Sequence, residues 1–236
     1  MKGGRQALPS FFYVTFPKFE NFGKVSMHRY FIIYKPFGML SQFSKEPSSA
    51  NASEGKGDHA TLADLNFNFP KDVYPVGRLD SDSEGLLLLT NDITINHKLL
   101  DPKFKHKRTY LAQVEGIFSE EAKLKLEKGV SISVDGTLYK TLPCTVALHP
   151  LPLGEGQGGV APRNPPIRFR KNIPTSFVKI TLHEGKNRQV RKMTAAVGFP
   201  TLRLIRIAID KIELGDMKPG EVKEINSKEI FGSLGI

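Results

Sequence analysis

Between Tyr74 and Asp92 the chain sets one arginine and three carboxylates, Arg78, Asp80, Asp82 and Glu84, in a polar turn flanked by two apolar, extended runs, Val73 to Leu79 and Gly85 to Thr90. An uncompensated carboxylate in a core costs several kcal/mol, roughly, so a sheet interior has no use for that much charge between strands. Such a turn is either a solvated loop or the floor of a site. We read it as a site.

Two other features narrow the possibilities. The 236 residues carry a formal charge of +10, which points to a polyanionic partner, nucleic acid or an anionic membrane surface. The excess is concentrated: Arg163 to Arg206 holds eleven basic residues against Glu184 alone. A second cluster, Lys103-Phe104-Lys105-His106-Lys107-Arg108, precedes a strand-like run. A merely soluble surface mixes both signs. The single cysteine, Cys144, excludes a disulfide framework and a cysteine-based zinc site, and fits a reducing cytoplasm. No run reaches the roughly 20 apolar residues of a membrane helix, and Leu8 to Phe16 is too short and interrupted for a signal peptide.

The chain divides into an N-terminal basic-aromatic arm, 1–27, and one domain, 28–232. Tyr30 to Tyr34 reads as a strand ended by Lys35-Pro36-Phe37-Gly38, and 44–60 as a polar loop. Asn96 to Leu100 reads as a helical turn closed by Pro102. Thr109 to Val114 is a strand, Ser119 caps a helix with Glu120 and Glu121 in its first turn, and Val130 to Val134 returns as a strand. Residues 150–166 hold five prolines and four glycines, an irregular insertion; its Gly-Glu-Gly-Gln-Gly-Gly lacks the following helix a phosphate loop needs. Phe177 to Leu182 alternates as a strand, Asn187 caps a helix running to Val197, and Leu202 to Leu214 is a long strand-like run. No repeat is visible. Strands that follow one another without crossover helices indicate an α+β fold with a mostly antiparallel sheet.

Among chemical constellations, Asp80-x-Asp82-x-Glu84-Gly85 opens like a calcium-binding loop, but its twelfth position is Asn91 instead of a bidentate Glu, and Pro75 and Gly77 deny it a preceding helix. A glycosidase would need a second acid across the cleft, and the basic region offers no second acidic cluster. A lone reactive Asp beside Arg78 fits better. In the helix after Asn187, Val190, Met193 and Val197 form the buried stripe, leaving Arg188, Arg191 and Lys192 on other faces, suited to phosphate together with the helix's first N–H groups.

At this point four blocks converge. Gly77-Arg78-Leu79-Asp80 with Ser83-Glu84-Gly85-Leu86-Leu87-Leu88-Leu89-Thr90-Asn91-Asp92 resembles the signature of the bacterial rRNA pseudouridine synthases of the small-subunit-synthase type. Lys35-Pro36, Arg108-Thr109-Tyr110-Leu111-Ala112-Gln113-Val114-Glu115-Gly116, and Glu184-Gly185-Lys186-Asn187-Arg188-Gln189-Val190-Arg191-Lys192-Met193 resemble further motifs of that family, in order, over roughly Arg29 to Ile230. Asn164-Pro165-Pro166-Ile167-Arg168 and Gly198 to Arg206 are most similar to a branch that acts on large-subunit (23S) rRNA and lacks an S4-like RNA-binding domain. Arg108 departs from the family, which usually has Lys there.

The resemblance implies a pseudouridine synthase fold with a central cleft, a monomer in the cytoplasm acting on ribosomal RNA, and an isomerisation that uses neither metal nor cofactor. It implies Asp80 as the catalytic carboxylate, Tyr110 as the aromatic that stacks on the extruded base, Arg191 as the partner of Asp80, and Leu204 as the apolar wall. Arg78, Lys107, Arg108, Lys186, Arg188 and Arg206 are the expected RNA contacts. The same chemistry on another rRNA, a noncatalytic rRNA-binding assembly factor and a membrane-surface binder are the alternatives.

Overall fold

The structure, a computed structural model, describes residues 27–45, 59–149, 161–167 and 173–235. The expected arm up to residue 26 and the insertion from 150 to 160 lie outside the described residues. In chain order the strands and helices are β1 (Tyr30–Lys35), β2 (Tyr74–Pro75), β3 (Glu84–Thr90), α1 (Ile93–Leu100), β4 (Arg108–Glu115), α2 (Glu120–Glu127), β5 (Ser131–Val134), β6 (Thr137–Lys140), β7 (Thr145–His149), β8 (Thr175–Leu182), α3 (Gln189–Ala196), β9 (Thr201–Ile209), β10 (Ile212–Glu213), β11 (Val222–Ile225) and α4 (Ser227–Leu234).

Nine strands form one sheet in the order β11-β1-β3-β9-β4-β8-β7, with β10 beside β9 and β2 beside β3; β5 and β6 pair separately as a hairpin. The pairings are antiparallel except for β3 with β9, which run parallel at Glu84↔Ile205 and Gly85↔Arg206. The expected α+β, mostly antiparallel architecture therefore holds. β1 and β3 are buried at every position, because apolar layers cover both faces. On one face Tyr30, Ile32, Leu86, Leu88 and Ile205 pack against α1 and α4. On the other, Phe31, Ile33, Leu87 and Leu89 pack with Met39, Leu62, Val73 and Leu79. Further along, Ala112, Val114, Val178, Ile180 and Leu204 bury α2 and α3. Tyr110 touches both of the last two layers, so the acidic turn that follows Leu79 emerges between them.

Several boundaries differ from the sequence reading. α1 begins at Ile93, three residues earlier than expected, because the Asp92 carboxylate accepts from Thr94 N (2.9 Å) and Ile95 N (3.4 Å). Of the extended run from Val73, only Tyr74–Pro75 pairs as a strand. The long run from Leu202 is two strands, since Asp210 takes a left-handed conformation (φ 49°) and turns the chain. Asn187 does not cap α3: the cap is Arg188 at φ 51°, without a side-chain cap bond. The Gln189 side chain instead accepts from Lys186 N in the loop before the helix.

Candidate active site

The acidic turn is held by the loop that follows β1. Gly38 N donates to Ser81 O at 2.8 Å. The Ser41 hydroxyl accepts from Leu79 N (3.0 Å) and donates to Leu79 O (2.9 Å). Lys35 lies opposite Gly85 in the β1–β3 register and is completely buried. Its Nζ donates to Pro36 O (2.9 Å), Met39 O (2.7 Å) and, more weakly, Ser81 O (3.4 Å). Burial pushes this ammonium down to about 7, against the pull of Glu84, Asp82 and Asp80. The lysine thus fastens the backbone of the turn and sits under its carboxylates.

From the other side α3 supplies two guanidinium groups. Arg188 grips Asp82 with both ends of its fork, at 3.1 and 2.8 Å, and approaches Asp80 at 3.7 Å. Arg191 donates to the Asp82 backbone carbonyl at 2.7 Å and lies 3.3 Å from its carboxylate. Burial acts to raise the Asp82 carboxyl, but the Arg188 hydrogen bonds and both guanidinium charges outweigh it and hold the group below the usual carboxylate range. The expected direct pair between Arg191 and Asp80 is therefore corrected: Arg191 holds Asp82, and Asp80 acts on it only through the field. Exposure does not separate the two, at 34% for Asp80 and 33% for Asp82; the contacts with Arg188 and Arg191 do.

Behind the turn lies a pair that the sequence reading did not single out. Arg203 Nε and Nη2 donate to the Glu84 carboxylate at 2.8 and 2.7 Å, with side-chain exposures of 8% and 2%. Arg203 Nη2 also donates to Ala161 O at 2.9 Å. A glutamate opening one leucine run and an arginine inside another were the signal: charges in buried strands require partners. Lys35, ending an apolar strand, carried the same signal.

The other expected residues divide. Tyr110 is half-buried beside the site, paired in register with Arg206. Leu204 is buried among Ala112, Val190 and Met193, a packing position. Arg78 and Lys186 are exposed, the latter with Nζ 4.9 Å over the Tyr139 ring. Three expected RNA contacts have other positions. Arg206 is 4% exposed, donates from Nε to Leu86 O at 2.7 Å, and its Nη2 is buried with no hydrogen-bond partner among the described residues. Arg108 donates to Leu99 O (2.6 Å) and His106 O (3.3 Å), closing the end of α1. Lys107 lines a groove with Thr109, Leu111 and Thr181, on the face of β4 opposite Tyr110.

An accessible carboxylate on a turn clamped from both sides, beside a buried arginine–glutamate pair and an aromatic, suits attack on an electrophilic carbon in a polyanionic substrate. The comparisons with known proteins agree in kind. Residues 29–196 match the family model described as RNA pseudouridylate synthase. The chain is 48% identical over 194 residues to the ribosomal large subunit pseudouridine synthase E of Vibrio parahaemolyticus serotype O3:K6 (strain RIMD 2210633), covering 82% of this chain and 72% of that one. Its counterpart from Xanthomonas axonopodis pv. citri (strain 306) is 44% identical over 189 residues, 80% and 89% of the two chains. The ribosomal large subunit pseudouridine synthase B of Bacillus subtilis (strain 168) is 35% identical over 201 residues, 85% and 69%. A crystal structure described as that of a pseudouridylate synthase superposes with a TM-score of 0.65 at 25% identity, covering 88% of this chain and 74% of that one.

Proposed function

This chain belongs to the RNA pseudouridylate synthase family, and on that premise we propose that it isomerises a uridine of large-subunit ribosomal RNA with Asp80 as the reacting carboxylate. The reaction breaks the bond from N1 to the ribose and forms one from C5; the C5 hydrogen leaves to solvent and N1 gains a proton. Nothing is oxidised. The uridine must first leave its stack, at a cost of a few kcal/mol, roughly. Tyr110 receives the extruded base in this reading, which its half-buried position at the junction of two apolar layers supports, and stacking returns about 1–3 kcal/mol.

The observation that carries the reading is the unequal sharing of the two α3 arginines. Asp82 takes the close contacts and keeps the guanidinium groups in place, while Asp80, one-third exposed, meets Arg188 at the longer distance of 3.7 Å. Exposed Arg78 and Lys186 supply phosphate contacts around it. Mapping pseudouridines in rRNA from cells with the wild-type protein, without it, and with Asp80→Asn tests this directly. One large-subunit site is expected to vanish in both altered strains, while purified Asp80→Asn binds the RNA within about twofold of wild type and loses at least about a thousandfold in kcat. An unchanged map would leave only an assembly factor on this scaffold.

A further inference from the structure

The segment 161–167 and the loop after β1 meet at a contact that the chemistry above does not use. The Arg163 guanidinium lies 4.1 Å from the centroid of the Phe37 ring. Its Nε donates to Pro165 O at 2.8 Å and its Nη2 to Pro166 O at 3.3 Å. Both residues are half-buried. We infer that Arg163, held over the Phe37 ring, is a stacking platform for a nucleobase next to the extruded uridine, and so helps determine which RNA sites are accepted. The inference rests on the proposed isomerase reading and names a substrate contact within it.

Two arguments fix the role. The first is position. Segment 161–167 is tied down by Arg203, whose Nη2 holds Ala161 O while the same guanidinium pairs with Glu84, four residues after Asp80. Phe37 precedes Gly38, whose N–H holds Ser81 O, next to Asp80. Both halves of the stack are therefore anchored to the acidic turn, and the Arg163 charge reaches Glu84 and Arg191.

The second argument is the form of the cation. Arginine grips a phosphate best through a planar fork of two parallel N–H groups. In Arg163 Nε and Nη2 are committed to two carbonyls of its own segment, and the group lies over the Phe37 ring. With that edge taken, the group keeps its charge and its π-plane but not its fork, which suits a base better than a phosphate. Extruding a uridine deprives its neighbours of a stacking partner; a fixed planar cation beside the opening replaces it.

The test uses a transcript of large-subunit rRNA made with 5-tritiated uridine, whose isomerisation releases tritium. Arg163→Ala and Phe37→Leu are expected to raise KM about tenfold with kcat within about twofold of wild type. Arg163→Lys, which keeps the charge and loses the plane, is expected to behave like Arg163→Ala. The slope of log KM against log salt stays at the wild-type value in all three. With stem-loops built around the mapped uridine, one abasic neighbour is expected to make wild type and Arg163→Ala indistinguishable. Arg163→Gln and thermal melts of each variant separate lost folding from lost contact. Recovery of KM by Arg163→Lys, or a slope reduced by about 1 in Arg163→Ala, overturns the platform in favour of a phosphate contact. An unchanged KM in Arg163→Ala overturns it outright. Failure of the parent reading is read separately, from tritium release by Asp80→Asn equal to that of wild type.

Discussion

Asp80 and Asp82 stand two positions apart on one turn, yet the arginines treat them differently, and Lys35 beneath them contributes to both. Its pKa in the fold lies near 7 against an ordinary 10.5. The unfolded chain therefore holds more protons between these values, and the stability owed to this group rises with pH from about 7 to 10.5. Below pH 7 the full cost of a buried ammonium is present, several kcal/mol with about 5 as a ceiling. Denaturant unfolding of wild type and Lys35→Met at a series of pH values is expected to show the difference moving in favour of wild type as pH rises across that window. A difference constant with pH would mean that the ammonium stays charged throughout. At this scale the sequence was legible in the charged turn, which it singled out as a unit, and illegible where geometry assigns partners. Spacing along α3 placed Arg188 and Arg191 together, but it could not say that Asp82 would intercept both. Nor could charge alone separate exposed Arg78 from Arg206, which a strand buries.

The elements depend on a few positions where backbone approaches backbone. Gly85 adopts φ +101°, and a Cβ there would lie 2.3 Å from Arg206 O and 2.9 Å from Arg206 N. Both neighbours belong to the main chain of β9, so nothing flexible can yield. Gly85→Ala is expected to destabilise by about 3 kcal/mol or more, since it would force apart the parallel β3–β9 contact. Gly136→Ala is the control: its φ is +78° with open space around it, so strain alone acts, about 1–2 kcal/mol. Thermal denaturation of both variants gives the comparison. Asp92→Ala removes the cap of α1 and also the acceptor of the Tyr30 hydroxyl at 2.9 Å. A loss of about 1–2 kcal/mol is expected. Tyr30, pushed up to about 12 by burial first and the Asp92 bond second, then titrates lower, as ultraviolet absorbance would show. The helix α2 was readable because Ser119 and its acidic first turn announce it. α1 was read short because β-branched Ile93 and Thr94 disguise the first turn after the cap. β6, β7, β11 and α4 carried too little periodicity to read at all.

Among the described residues, exposed basic side chains beside the acidic turn stand apart from those in a groove on the other face of β4 and β8. Net charge +10 correctly suggested a polyanion partner, but composition has no direction. Arg78 and Lys186 are exposed on the segments that bring Asp80 and α3 together. Lys107 and Lys179 share the groove with Thr109 and Thr181 on the opposite face of β4 and β8. Each phosphate neutralised on binding releases counterions, and the slope of log K against log salt falls by about 1 for each contact removed. Filter binding of rRNA across a salt series is therefore expected to show a slope reduced by about 1 in Arg78→Ala and in Lys186→Ala, with a wild-type slope in Lys107→Ala and Lys179→Ala. Arg206→Ala is expected to leave the slope unchanged while lowering the melting temperature, because its guanidinium bonds the chain at Leu86 and meets no solvent. Should Lys107→Ala and Lys179→Ala lower the slope as much as Arg78→Ala, RNA would wrap both faces, and the division of charge by face would be wrong.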